Sequence, residues 1–204
     1  MIGIIDYQMG NLASLVNSLE RVGASGEIVR DPQSLERFSH LILPGVGAFG
    51  DAVGHLRESG MDRAILAHVE RGGHLLGICL GLQVLFESSE ESPGVAGLGL
   101  LPGRVVRFDP KRAAYPIKIP HMGWNRLSGE VRSPLFDCVE AGERLYFVHA
   151  YHISCPDSIV SARADYGYPF VAAVSKGNLY GIQPHPEKSH TAGLQILKNF
   201  TELK

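Results

Sequence analysis

The sequence predicts an α/β protein: an open, doubly wound, mostly parallel sheet with an antiparallel β extension in its second half. Three observations predict it. Short apolar runs alternate with segments of helical spacing through the first half, the pattern of parallel strands joined by crossover helices. From about residue 98 the runs turn strand-like, with few helical intervals between them. The 24 glycines and 12 prolines suit a chain with many tight strand-to-helix turns.

Taken in order, GIID (residues 3–6) is a short buried strand, and Asn11 can cap the helix NLASLVNSLERVG. Leu12, Leu15, Val16 and Leu19 share one face of that helix, and Gly23 ends it. GEIVR is a second strand, and HLILPGVGAFG runs a third into a glycine-rich turn. A helical stretch carrying Leu56, Ile65 and Val69 leads to the strand HLLGIC. LGLQVLFE then returns to helical spacing, with Leu82, Leu85 and Phe86 on one side. Beyond it LLPGRVVRF, IKIPHMGW, RLYFVHAYHI, IVSARADYG, FVAAVSKG and LYGIQPH are strands, with turns at DPKRAAYP and SPLF. A helix from about Ser189 to Leu203 closes the chain. No repeat, low-complexity tract or linker interrupts residues 1–204, so a single domain is expected.

Charge excludes some functions. With 19 basic and 21 acidic residues the formal net charge is −2, and no basic stripe suits nucleic acid or an anionic membrane surface. The start MIGIIDYQMGN has no basic segment followed by a long apolar one, and no apolar run reaches membrane-spanning length. Cys79, Cys138 and Cys155 form an odd set without metal-type spacing, which favours free thiols in a reducing cytoplasm and gives no metal site.

The chemistry starts at Gly77-Ile78-Cys79-Leu80-Gly81, where a strand turns sharply into a helix. Cysteine is often simply buried in a core, but this is the cysteine version of the nucleophile elbow. Its tight turn holds the nucleophile in a strained conformation and leaves room only for glycine on either side. It also sets the thiol at a helix N-terminus, where free N–H groups and the helix dipole favour a thiolate. A thiol nucleophile needs a base, and the chain has nine histidines. His40, His55, His68 and His74 suit solvated or packed roles, while His121, His149 and His152 suit structural or site-lining ones. His185 stands apart, in Pro184-His185-Pro186-Glu187 at the end of an apolar strand. In an extended segment Glu187 points to the same side and can orient the imidazole. For an oxyanion hole, the Leu80 N–H is one donor and the loop Pro44-Gly45-Val46-Gly47 offers a second. That loop has neither the G-x-G-x-x-G nor the P-loop pattern, so a nucleotide cofactor is not expected.

Together GICLGLQ, HPEKS and PGVGAF resemble the class I, triad-type glutamine amidotransferases, over the span from DYQMGN to HPEKS. PHMGWN (residues 120–125), with PGVGAF, is similar more narrowly to the glutaminase subunits of imidazole glycerol phosphate synthase, in histidine biosynthesis. The resemblance implies a flavodoxin-like sheet and a cofactor-free glutaminase. Cys79 would attack the L-glutamine amide to give a γ-glutamyl thioester and ammonia, with His185 as base and acid and Glu187 orienting it. Val46 and Leu80 would supply oxyanion N–H groups, the former after a peptide flip. Gln83 and Glu91, with backbone at Gly47 and Tyr151, would hold the substrate's α-amino and α-carboxylate ends. It also implies a heterodimer with a (β/α)8-barrel cyclase subunit, faced by Asn11, Met122, Trp124, Tyr146 and Lys188. The cyclase would use the ammonia to form imidazole glycerol phosphate and an aminoimidazole carboxamide ribonucleotide.

Three positions depart from the family pattern: Ala150 stands for Ser or Thr, Pro184 for an aromatic before HPE, and Gln8 for a common glycine. Pro184 raises the sharpest question, because its missing N–H and rigid φ could shift His185. Competing expectations are a stand-alone γ-glutamyl hydrolase with the same triad, the glutaminase of another class I amidotransferase, and an inactive binding module on this fold. The PHMGWN segment and the intact Cys79, His185 and Glu187 argue against them.

Overall fold

The computed structural model of the chain describes residues 1–129, 131–140 and 142–204. In the first half β1 (Ile2–Ile5), β2 (Gly26–Val29), β3 (His40–Leu43) and β4 (His74–Ile78) are interleaved with α1 (Leu12–Arg21), α2 (Phe49–Glu58) and α3 (Met61–Glu70). A short helix, α4 (Leu80–Val84), follows β4 directly. The second half carries β5 (Ser88–Ser89), β6 (Arg104–Arg107), β7 (His121–Ser128), β8 (Arg144–His149), β9 (Tyr151–Ser154), β10 (Val160–Asp165), β11 (Pro169–Lys176) and β12 (Leu179–Ile182). The helix α5 (His190–Thr201) comes last.

These strands form one open sheet in the order β2-β1-β3-β4-β12-β11-β10-β7-β8, with β9, β6 and β5 branching from β11. Pairing is parallel from β2 through β12 and antiparallel from β12 through β8. The last strand therefore inserts between the two halves, with Gly181 opposite Gly77 and Ile182 opposite Ile78.

Side-chain alternation explains the layers. In β3, Leu41 and Leu43 enter a core shared with α2, α3 and α4, while Ile42 enters a second core with α1 and α5. The strand is buried on both faces, so it reads as an unbroken apolar run. On α1, Leu15 and Leu19 are buried and Leu12 and Val16 pack beside them, as expected.

Other expectations need correcting. Asn11 occupies the N-cap position of α1, but its side chain makes no cap hydrogen bond. The helical stretch after PGVG is two helices, α2 and α3, separated at Gly60, whose φ of 74° breaks the first and opens the second. The helix α4 has no solvent-facing side, because all its residues from Leu80 to Val84 are buried. RLYFVHAYHI divides at Ala150 into β8 and β9, which pair with different neighbours. In IKIPHMGW only the part from His121 is strand.

Phe200 on α5 is fully buried in the second core, edge-on to His40 and Tyr180 at ring-centre distances of 5.3 and 6.4 Å. Phe200→Ala is expected to lower the unfolding free energy by about 3–5 kcal/mol, measured by urea denaturation.

Candidate active site

The site begins at the turn from β4 to α4. Cys79 has φ 55° and ψ −108°, a conformation that strains a residue bearing a Cβ. The surroundings enforce it. A Cβ at Gly77 would lie 2.7 Å from backbone atoms of Gly81 and Leu82, and one at Gly81 would run into the Leu43 carbonyl. Both glycines are there because backbone passes where a side chain would go. The Cys79 N–H donates to Ile182 O at 2.9 Å, tying the turn to the end of β12.

From that end the chain runs Gln183-Pro184-His185. The Gln183 N–H still bonds Ala172 O at 2.8 Å, and the His185 N–H bonds Tyr146 O at 2.9 Å. Pro184 sits between these two bonds, past the last residue of β12, where no ladder donor is lost. The segment after it is not extended: Pro186–Lys188 forms a single 3-10 turn. That turn, rather than strand alternation, brings Glu187 back onto the ring. His185 Nδ1 meets Glu187 Oε1 at 2.7 Å, with both side chains almost inaccessible to water.

Nε2 is then the ring nitrogen left for Cys79; it is buried and has no hydrogen bond of standard geometry. Burial disfavours the charged imidazolium, but interaction with Cys79 and Glu187 outweighs it and raises His185 to about 10. Contact with Cys79 and Glu187 thus favours the protonated ring.

Val46, Gly47, Cys79, Leu80, Gln83, Glu91, Tyr151 and His185 all line one cleft of about 230 Å³. These are the expected nucleophile, base, oxyanion and substrate residues; Glu187 stands behind His185. Ala150 lines the cleft too, presenting a methyl group where the family pattern has a hydroxyl. A larger hollow of about 350 Å³ by Phe136 and Leu145 has no nucleophile–base pair among its described residues. Leu80 opens α4, where a backbone N–H has no helical carbonyl behind it. The Pro44–Gly47 loop is pinned by the Tyr7 hydroxyl, which donates to Pro44 O at 2.8 Å. Glu91 has a second task, since one carboxylate oxygen accepts from Phe49 N–H at 2.8 Å and so caps α2. Gln8 has φ 71°, which is why glycine is the easy residue there.

Sequence reasoning missed two groups, Tyr7 and Gln183, and had already set His149 and His121 among the structural or site-lining histidines. Tyr7 was hidden in a motif read only as a whole. Gln183 is fully buried, and its amide nitrogen lies 3.6 Å from Cys79 Sγ. His149 lines the cleft and bonds His121 at 3.0 Å, and His121 reaches Asn125 at 3.3 Å. Burial pushes His149 down to about 3 and His121 down to about 4, so both are neutral.

On the surface Met122 and Trp124 project from one face of β7 at 63% and 42% exposure. Trp124 packs edge-on to Tyr146 and stacks on His190, at ring-centre distances of 5.7 and 4.7 Å, and Lys188 Nζ lies 5.7 Å from the Tyr146 ring. His190 was not foreseen in this patch. Asn11 is exposed at the start of α1.

Residues 3–203 match the family described as Glutamine amidotransferase class-I. The imidazole glycerol phosphate synthase subunit HisH of Wolinella succinogenes is 51% identical over 204 residues, covering 100% of both chains. The chain belongs to the class-I glutamine amidotransferases, within the HisH subunits. HisH of Bacillus subtilis is 48% identical over 205 residues, covering 100% of this chain and 96% of that one. HisH of Methanothermobacter thermautotrophicus is 47% identical over 203 residues, covering 100% and 98%. Among solved structures, the PurLQS structure from Thermotoga maritima has a TM-score of 0.75 at 23% identity, covering 98% of this chain and 96% of that one. A crystal structure of glutamine amidotransferase has a TM-score of 0.72 at 22% identity, covering 98% of both. These two share the fold. Among the described residues of this amidotransferase, no helix is long and apolar enough to cross a membrane.

The strain at Cys79 inverts a usual order. Cys79→Gly is expected to be about 1 kcal/mol more stable than Cys79→Ala in urea denaturation, although glycine is normally the less stable of the two. The neutral histidine pair sets a pH dependence. An unfolded chain takes up protons near pH 6.5, which folded His149 and His121 refuse until about 3 and 4. Stability should therefore fall as pH drops from about 6.5 towards about 4. His185, raised, contributes its full share throughout that window and loses it only as pH rises towards about 10. Denaturation midpoints across the acid range check this, with His121→Gln expected to flatten the slope.

Proposed function

We propose that this amidotransferase is the glutaminase subunit of imidazole glycerol phosphate synthase, hydrolysing L-glutamine to glutamate and ammonia in histidine biosynthesis. One observation carries the chemistry: β4 and β12 lie side by side in parallel, so the turn after one and the segment after the other meet in a single cleft. Identity of about half the residues over the full chain to named HisH subunits supports the substrate and the pathway.

In this reading Cys79 Sγ, as thiolate, attacks the side-chain amide carbon of glutamine. The Leu80 and Val46 N–H groups hold the resulting oxyanion. His185 gives its proton to the departing nitrogen as the C–N bond breaks, leaving ammonia and a γ-glutamyl thioester. Neutral His185 then takes a proton from water, whose oxygen attacks the thioester carbon. The C–S bond breaks, glutamate leaves, and the Cys79–His185 pair is restored. Glu187 keeps the ring oriented and favours its charged form. Gln83, Glu91 and backbone at Gly47 and Tyr151 grip the amino-acid end of the substrate.

The relatives named HisH are described as subunits, which supports an assembly for this chain. We assign its partner as a (β/α)8-barrel cyclase. It docks on Met122, Trp124, Tyr146 and Lys188 with Asn11 at the rim, and it consumes the ammonia. Backbone joins that patch to the base, because the Tyr146 carbonyl holds the His185 N–H.

Glutamate release tests the reading. The chain alone should turn over slowly, and a cyclase subunit with its nucleotide ligand should raise the rate about tenfold or more. Cys79→Ala should abolish release in the complex. Equal rates with and without the cyclase would instead indicate a stand-alone hydrolase.

A further inference from the structure

Among the described residues the Cys79 sulfur has two hydrogen-bonding neighbours, Val148 and Gln183. The Val148 carbonyl lies at 3.9 Å and can only accept a hydrogen bond from the thiol. The Gln183 amide lies at 3.6 Å, and what it does depends on which of its two ends faces the sulfur.

The surrounding bonds settle that orientation. The Tyr151 carbonyl can only accept, so the Gln83 atom 3.2 Å from it is the amide nitrogen. The same nitrogen lies 3.2 Å from the Gln183 side chain, and an NH2 group only donates, so the atom facing it is Oε1. The remaining end of Gln183, its NH2 group, must therefore face the sulfur. His149 fits the same scheme: its Nδ1–H donates to the Tyr151 carbonyl at 2.8 Å, leaving Nε2 to accept from His121. Reversing any one amide would set donor against donor or carbonyl against carbonyl in a fully buried place. Gln183 is further held by its backbone bond to Ala172 O at 2.8 Å.

We propose that Gln183 is a further catalytic residue of the glutaminase, donating its side-chain N–H to Cys79 Sγ, with Gln83 and the Tyr151 carbonyl as the positioning groups that aim this donor. The inference rests on Cys79 being the nucleophile. A thiolate accepts such a bond strongly, whereas a thiol gains little from it, so the donor favours the reactive form. It acts twice in the cycle. It holds the thiolate before attack, and it stabilises the sulfur again as the C–S bond of the thioester breaks. Val148 works the other way, since its carbonyl favours the thiol. Gln183 offsets that bias.

The test is alkylation of Cys79 by iodoacetamide as a function of pH, in the complex with the cyclase subunit, for wild type, Gln183→Met and Gln183→Glu. Both substitutions nearly keep the volume, and Gln183→Glu replaces the donor with oxygens. The alkylation midpoint should move up by about one pH unit, so that at pH values below the wild-type midpoint alkylation is slowed about tenfold. In both variants kcat should fall by at least as much, with KM little changed. Should neither fold, Gln83→Met leaves Gln183 in place without its orienting partner and should give a smaller shift of the same sign. Folded variants that alkylate along the wild-type pH curve would overturn the proposal. The underlying reading is tested separately, by glutamate release from the wild-type complex and its loss in Cys79→Ala.

Discussion

Everything in the cleft depends on one strand pairing, β12 against β4 in parallel register. Gly181 opposite Gly77 and Ile182 opposite Ile78 fix the two strand ends at the same height. The Cys79 N–H to Ile182 O bond extends the ladder one step beyond the strands. Because strands in an open α/β sheet deliver their functional loops at the carboxyl end, two neighbours in register deliver them to one point. A register slip of one residue would displace His185 by roughly 3.3 Å and turn its side chain to the other face.

The pairing also explains why small residues crowd this part of the molecule. Gly77, Gly81 and Gly181 lie where a Cβ would meet Leu43, Leu82 or the backbone of α4. The backbone strain at Cys79 persists because packing on both sheet faces over-determines the turn. On the antiparallel side, His185 is bridged to Tyr146, and the Ser189 hydroxyl accepts from the Tyr146 N–H. The exposed aromatic patch and the buried base therefore share one piece of backbone.

Much of this was legible in the sequence. Apolar runs with helical intervals gave the parallel half, since strands buried on both faces cannot hide their composition. GICLG marked Cys79 as the candidate nucleophile and HPE marked His185 as the candidate base, because each motif needs particular residue types within a few positions. What escaped was long-range. Gln183 lies 104 residues from Cys79, and glutamine has no periodicity or charge to mark it. His149 and His121 were visible as residues, but their shared hydrogen bond depends on the pairing of β7 with β8. Local detail failed where tertiary packing overruled propensity. Asn11 leaves its cap bond unmade, α4 is buried all round, and Glu187 reaches His185 through a turn rather than along a strand.

The place of β12 in the sheet also bears on synthesis. The strand made last is the one flanked by β4 on one side and β11 on the other. Until Leu179–Ile182 leave the ribosome, each of those neighbours presents an open apolar edge, the kind of surface that invites pairing with another chain. The Cys79 thiol is already on the growing polypeptide by then, but His185 is not. A nascent chain thus carries Cys79 for about a hundred residues of synthesis without His185, which follows the strand that seals the sheet by three residues.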